Sequence, residues 1–223
     1  MNDMPIYSVG LDCDDVVVDT FPNVTKRIQE TARLMRLKVP SKSAITDAYD
    51  YGTTMIGTLF PGADVGEFLR IADSLDFPYE PVDGAKEALN FLKGAKVRKW
   101  MFTGSRSNIV EQKFSQADID PGSFYFVPTF DVTQPYRKPH KDAWRICAQE
   151  LSRAEIEPQM TLYVEDSIVN YQQAIGIGLQ SVLLLGSPNS RGYQGRVPLE
   201  DTFSSMHQLP ELVERRGLVP YSI

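Results

Sequence analysis

The pattern of apolar and polar positions changes period along this chain, and each change marks an element. A short apolar run with β-branched residues opens at Ile6 and breaks off in carboxylates at Asp12-Cys13-Asp14-Asp15; it predicts a buried strand. Val24, Ile28, Ala32 and Met35 then recur at helical spacing, predicting a helix over 22–37 that Pro40 stops. Val65, Phe68, Leu69 and Ala72 predict a second helix over 64–75, closed by Phe77-Pro78. Gly52, Gly57 and Pro61-Gly62 between them read as turns. Residues 20–83 thus form a small helical insert with no strand.

From Gly84 the two periods alternate. Ala85, Ala88, Leu89 and Leu92 predict a helix ending at Gly94. Strands follow over 96–102, 123–127, 161–164 and 181–185, with helices through Val110 and Phe114, from Pro139 through Leu151, and through Val169 and Ala174. Residues 131–136 and 186–196 read as loops, the second a mobile one whose Arg191 or Arg196 touches an anion if it orders over a substrate. The tail offers a strand at 202–204 and a short helix through Leu209, Leu212 and Val213. Strands alternating with helices imply an α/β fold, a parallel sheet covered by helices on both faces. The expected division is a discontinuous α/β core of 1–19 and 84–223, with the helical domain of 20–83 inserted after the first strand.

Composition changes this picture little. The 223 residues are 42% hydrophobic and 23% charged, as in an ordinary globular protein. A net charge of −6 and a pI near 5.0 argue against a nucleic-acid polymer or an anionic membrane as partner. Cys13 and Cys147 make no disulfide framework and no zinc set. With neither a signal peptide nor a membrane span in the sequence, a reducing cytoplasm is the expected compartment.

The chemistry lies where strands stop. Ionised carboxylates are too costly to desolvate to belong inside a strand, so Asp12, Asp14 and Asp15 must sit at its mouth, where α/β sheets bind ligands. Thr103, the Arg137-Lys138-Pro139 loop and Glu165-Asp166 fall at the ends of other strands. Together they meet the needs of phosphoryl transfer. A carboxylate such as Asp12 attacks phosphorus, and a second, Asp14, protonates the leaving oxygen and later deprotonates water. Asp166 and Glu165 supply hard oxygen ligands for Mg²⁺. Thr103 and Lys138 hold the phosphate oxygens, and the amides at Cys13, Gly104 and Ser105 add a backbone nest. Taken singly, each is an ordinary turn, cap or solvated lysine.

These motifs make the chain resemble the haloacid dehalogenase superfamily, in its branch with a helical cap after the first strand. The residues that carry the resemblance are Asp12-Cys13-Asp14-Asp15-Val16, Thr103 after Trp100-Met101-Phe102, Lys138-Pro139, and Val164-Glu165-Asp166-Ser167 with Asn170 beyond. The resemblance implies a Rossmann-like core and a Mg²⁺-dependent phosphatase working through an aspartyl phosphate on Asp12. It implies a metal held by Asp12, Asp166, the main-chain carbonyl of Asp14 and Glu165. Asp14 speaks against carbon–halogen cleavage, because family dehalogenases lack it. The Glu-Asp form of the fourth motif resembles sugar-phosphate phosphatases, phosphoglucomutase-like enzymes and pyrimidine nucleotidases. Most relatives carry glycine where this chain has Asp15; the residue is read as a solvated carboxylate that avoids positive φ, with charge beside the metal or a substrate contact as alternatives.

The expected activity is hydrolysis of a small phosphorylated metabolite, a sugar phosphate or a nucleotide, by a monomer or homodimer. A phosphosugar mutase is the first alternative; a phosphoacceptor signalling domain and an idle binding relative are the others. The helical insert offers Arg33, Arg36, Lys38 and Arg70 and the aromatics Tyr49, Tyr51, Phe60, Phe77 and Tyr79, the latter read chiefly as core. Cys13 lacks a base nearby and is expected to point into the sheet's packing, and His140 reads as an exposed residue at a helix start.

Overall fold

The protein is described from a computed structural model that covers residues 6–49 and 53–217. Tyr51 and Gly52 lie outside these residues. The chain forms two compact units, one of Asp19–Tyr79 and the other of the residues before and after it. The change of unit after Tyr79 comes four residues before the expected boundary at 83/84. Among the described residues no helix is long and apolar enough to cross a membrane.

The helical unit comprises α1 (Phe21–Leu34), α2 (Lys42–Ala48), α3 (Thr53–Leu59) and α4 (Val65–Ser74). Ser41 and Asp64 cap α2 and α4, their side chains accepting from the Ala44 and Glu67 amides at 3.1 and 3.0 Å. Phe21, Ile28, Ile45, Phe60 and Phe68 share one core. The first helix ends at Leu34 rather than 37, because Arg36 turns left-handed (φ 56°) and Leu37 N–H closes back on the Ala32 carbonyl. Helix α2 has no counterpart in the sequence expectation, and α3 takes in Gly57, where a turn was expected; two turns of helix repeat too briefly for a period to show.

In the α/β unit the order is β1 (Ser8–Leu11), the two-residue strands β2 (Val18–Asp19) and β3 (Glu80–Pro81), α5 (Ala85–Gly94), β4 (Arg98–Met101), α6 (Ser107–Ala117), α7 (Phe130–Thr133), α8 (Lys141–Arg153), β5 (Thr161–Glu165), α9 (Ile168–Gly176), β6 (Gln180–Leu184), β7 (Thr202–Phe203) and α10 (Leu209–Arg215). Strands β2, whose second residue Asp19 is the first of the helical unit, and β3 are absent from the sequence expectation and pair as a separate small sheet. The main sheet runs β4-β1-β5-β6-β7, parallel throughout. This is the α/β, Rossmann-like architecture that the alternation implies.

Two expected elements are corrected here. Residues 123–127 run beside β4, with Tyr125 N–H donating to the Lys99 carbonyl at 2.7 Å and Met101 N–H to the Phe126 carbonyl at 3.2 Å, yet they form only an isolated bridge. The segment lies between Pro121 and Pro128, and proline has no N–H for a ladder. The loop expected at 131–136 starts as the helical turn α7, stacked on Ser105 through the Phe130 amide at 2.9 Å.

Gly10 sits in the middle of the central strand, opposite Trp100 on one side and Tyr163 on the other. These rings stack on each other with centroids 5.5 Å apart, and the indole N–H donates to Ser8 Oγ at 3.1 Å. A Cβ on Gly10 would strike the Trp100 indole and lie 2.7 Å from Tyr163 Cδ2. Gly10→Ala is therefore expected to cost about 3 kcal/mol, the upper end for overpacking a core, read as a lower urea midpoint. A loss below about 0.5 kcal/mol would show that the rings move aside freely.

Candidate active site

Parallel pairing puts the strand ends level. Leu11 is opposite both Met101 and Val164, so the next residues, Asp12, Phe102 and Glu165, emerge side by side. The Asp12 amide donates to the Val164 carbonyl at 2.9 Å, and the Phe102 amide to the Leu11 carbonyl at 3.1 Å. The chain runs from β1 to β4 on one side and then to β5 on the other, so Asp12 occupies the point where strand order reverses. Carboxylate oxygens of Asp12, Glu165 and Asp166 lie within 4.8 Å of one another, all three residues buried. Among the described residues that trio is the group whose geometry could hold a cation.

Lys138 enters the same space from the loop before α8. Far from solvated, its side chain is 4% exposed, with Nζ 3.1 Å from Asp12 Oδ1 and 2.9 Å from Glu165 Oε2. It also donates to the Phe102 carbonyl at 3.2 Å and the Tyr163 hydroxyl at 3.1 Å. The rings of Phe102, Trp144 and Tyr163 surround it, their centroids 5.2–5.6 Å from Nζ. Burial alone would lower the lysine's pKa; the Asp12 and Glu165 charges outweigh it and hold the ammonium above its ordinary value. Glu165 is raised by burial, against the pull of Lys138. Asp12 is raised by burial first and by Glu165 next.

Glu165 is fully engaged: Oε2 takes Lys138, and Oε1 takes the Ser167 amide at 3.1 Å and Asn170 Nδ2 at 3.4 Å. Ser167 at the same time caps α9, so the bland reading of this motif holds beside the chemical one. Asp166 differs. Its Oδ2 accepts from Asn189 Nδ2 at 3.0 Å, while Oδ1 is buried with no hydrogen-bond partner. Burial, then the charges of Asp15 and Asp12, push its carboxyl up to about 7. Asn189 belongs to the segment 186–196 that was expected to be a mobile loop; instead a 3₁₀ turn at Pro188–Ser190 is pinned by Ser190 Oγ accepting from the Gly186 amide at 3.1 Å. Asn189 is the residue through which this loop contacts Asp166.

Asp15 is corrected on both counts. It adopts the left-handed conformation at φ 57° that a glycine would supply, and it is buried rather than solvated. Its amide donates to the Val18 carbonyl at 2.8 Å, closing the turn after β1. The alternative of added charge beside the acidic cluster fits its effect on Asp166.

The Asp14 carboxylate is not in the trio. It is ion-paired with Lys113 of α6, and its Oδ2 accepts from Ser105 Oγ at 3.2 Å. Thr103 is fully buried, its Oγ1 accepting from the Ser105 amide at 3.1 Å. Gly104 lies against the lysine loop, where a Cβ would sit 3.2 Å from Arg137 Cγ. The Cys13 amide donates to Asp12 Oδ1 at 2.7 Å, so in this arrangement it orients the carboxylate. The Cys13 thiol is buried in the packing, its pKa pushed up by burial and by Asp14. His140 caps α8 from an exposed position.

Tyr49 packs edge-on against Phe21 at 5.1 Å, and the Phe60 and Phe68 rings meet at a tilt with centroids 5.0 Å apart. Arg33 and Arg70 pair with Glu30 and Glu67 one helical turn away. Lys113 and Asn189 escaped the motif reading. The signal for Lys113 was present: it falls with Val110, Phe114 and Ala117 on the buried face of α6, as its one charged member. Asn189 gave no signal.

A pH prediction follows from Asp166. A carboxyl raised to about 7 in the folded state binds its proton more tightly than in the unfolded chain. Its contribution to stability is complete below the ordinary carboxyl range and is lost as pH rises through about 7. Asp12 and Glu165 act in the same direction. In chelator, the melting temperature is expected to fall from about pH 5 to about pH 8, and less in Asp166→Asn. A rise over that window, or no change in the variant, would contradict the crowding of carboxylates described above.

No curated protein matches the sequence. Among solved structures, one described as a predicted phosphoglycolate phosphatase from Haemophilus somnus is similar over 95% of this chain and 99% of that one, at 17% identity and a TM-score of 0.77. A hydrolase of the haloacid dehalogenase family from Deinococcus radiodurans, with bound phosphate and sodium, is similar over 98% and 99%, at 18% identity and 0.77. CbbY from Rhodobacter sphaeroides, in complex with xylulose-(1,5)bisphosphate, is similar over 92% and 96%, at 15% identity and 0.69. At these identities the likenesses show a shared fold. The sequence itself matches the model of the haloacid dehalogenase-like hydrolases over residues 8–178, and the chain belongs to that family.

Proposed function

We propose that this chain is a Mg²⁺-dependent phosphomonoester hydrolase that passes the phosphoryl group through Asp12. The observation that carries the reading is the buried trio Asp12, Glu165 and Asp166 converging at the level strand ends, with the Lys138 ammonium bridging two of its members. Three carboxylates crowded in a low-dielectric site call for more positive charge than one lysine supplies.

The donor set fits a hard divalent cation. Asp166 is the stronger ligand of the fourth motif, since its Oδ1 is buried without a partner while Glu165 spends both oxygens on Lys138, Ser167 and Asn170. Asp12, Asp166 and the Asp14 carbonyl would hold Mg²⁺, with Glu165 orienting Lys138. When bound, the cation neutralises charge on the transferred phosphoryl group.

This chain's residues then divide the work. Asp12 forms a bond to phosphorus as the ester P–O bond breaks, and Asp14 gives its proton to the leaving oxygen. Water next attacks phosphorus, its proton passing to Asp14, and the bond to Asp12 breaks to release phosphate. Lys138 and the Thr103 hydroxyl hold phosphoryl oxygens, with Gly104 and Ser105 shaping the turn beside them. The helical unit Asp19–Tyr79 serves as the cap that selects the leaving group. Small phosphorylated metabolites are the substrate class, in line with the phosphoglycolate phosphatase description and the xylulose-(1,5)bisphosphate complex among the structural neighbours. Two buried unpaired thiols suit a reducing cytoplasm.

A panel of phosphorylated metabolites tests this. Wild type is expected to release inorganic phosphate with Mg²⁺ and not with chelator, and Asp12→Asn to lose about 10³-fold or more in kcat. Asp166→Asn is expected to need far more Mg²⁺ for half-maximal rate. Metal-independent release, or an unimpaired Asp12→Asn, would overturn the reading; an isomerised sugar phosphate in place of free phosphate would make the enzyme a mutase.

A further inference from the structure

Lys113 is a buried lysine that the mechanism above does not use. It stands on α6 among Val110, Phe114 and Ala117, and is 5% exposed. A lysine on an apolar face costs side-chain entropy and desolvation unless a charge meets it there. The charge it meets is Asp14, ninety-nine residues earlier in the chain. Its Nζ also donates to Ser105 Oγ at 2.9 Å, and Ser105 Oγ lies 3.2 Å from Asp14 Oδ2.

With Asp14 ionised, the three groups close a ring whose hydrogens have one arrangement. An ammonium only donates, so the Ser105 oxygen accepts from Lys113 and must point its own proton at Asp14. Asp14 therefore receives two donors, Lys113 on Oδ1 and Ser105 on Oδ2. In the ionised state each oxygen takes one of these donors and keeps a lone pair for a further proton, and the carboxylate is fixed between a helix and a half-buried bend rather than left to sweep the mouth of the sheet.

We propose that Lys113 is a positioning residue for Asp14: with Ser105 it clamps the carboxylate in the acceptor pose from which it takes the proton of the attacking water. This rests on the acid/base role given to Asp14 above. In the step concerned, the water oxygen bonds to phosphorus, the Asp12–phosphorus bond breaks, the water proton goes to Asp14, and phosphate leaves. The clamp serves this half of the reaction. The first half, with a leaving group that needs no proton, does not depend on it.

p-Nitrophenyl phosphate separates the halves, since its leaving group departs unprotonated. For this substrate kcat/KM reports attack by Asp12, while kcat reports release of the phosphoenzyme. Lys113→Met is expected to lower kcat by about 10²-fold, the cost of misplacing a catalytic group by about 1 Å, with kcat/KM within about threefold of wild type. A p-nitrophenol burst should precede the slow steady state. A merely structural role would lower kcat and kcat/KM together. In an Asp14→Asn background, Lys113→Met should change kcat by less than about twofold, because a residue acting only through Asp14 has nothing left to position. If Asp14→Asn leaves kcat intact, the acid/base reading itself fails. If Asp14→Asn slows turnover and Lys113→Met does not, or if the two losses multiply, the clamp alone is overturned. Should Lys113→Met not fold, Lys113→Gln, neutral and of similar reach, takes its place in the same cycle; failure of both to fold would make Lys113 a structural lysine and end the proposal.

Discussion

Everything at the mouth of this sheet depends on one charge balance. Asp12 and Glu165 are buried side by side, and the Lys138 ammonium lies between them at 3.1 and 2.9 Å. Removing one partner of such a buried set typically costs about 3–5 kcal/mol, because the charge left behind cannot be solvated. The lysine is held from every side by the Phe102 carbonyl, the Tyr163 hydroxyl and three aromatic rings. One lysine against three carboxylates leaves the site short of positive charge, and the partnerless Asp166 Oδ1 is where that shortfall is felt most. The proposed cation site and the proposed nucleophile thus share one electrostatic deficit.

The sheet makes the balance possible. With Leu11 level with Met101 and Val164, a one-residue slip of either neighbour would turn its side chains to the opposite face. Gly10 guards that register, since Trp100 and Tyr163 meet over the space where it has no side chain. Tyr163 links the two levels: its ring packs on Trp100 and Trp144, and its hydroxyl contacts Lys138. Core packing and site geometry are therefore one problem, solved two residues apart, at Gly10 in β1 and at Asp12 just after it.

The fold and the acidic trio were legible because carboxylates gather where apolar strands end, Glu165 being the last residue of β5 and Asp12 the first after β1. An apolar run that stops in Asp or Glu announces a sheet's edge, and this happens at both Leu11 and Val164. Short elements were not legible. Helices α2 and α3 have two turns each, and residues 123–127 have strand composition but are fenced by prolines. The left-handed backbone of Asp15 was hidden because aspartate only tolerates what glycine prefers. Lys113 and Asn189 show a further limit: each acts on a motif residue through tertiary contact, and only Lys113, as a charge on an apolar helix face, left a trace in the sequence.

The central claim is that Asp12 is aimed at phosphorus and carries the phosphoryl group between the two half-reactions. The most direct test is mass spectrometry of peptides from enzyme quenched in acid during turnover of p-nitrophenyl phosphate with Mg²⁺. The account predicts one added phosphoryl group on the peptide containing Asp12, lost on treatment with neutral hydroxylamine and absent when chelator replaces the metal. A phosphoryl group on any other residue, or turnover with none on Asp12 under conditions where release is rate-limiting, would contradict it.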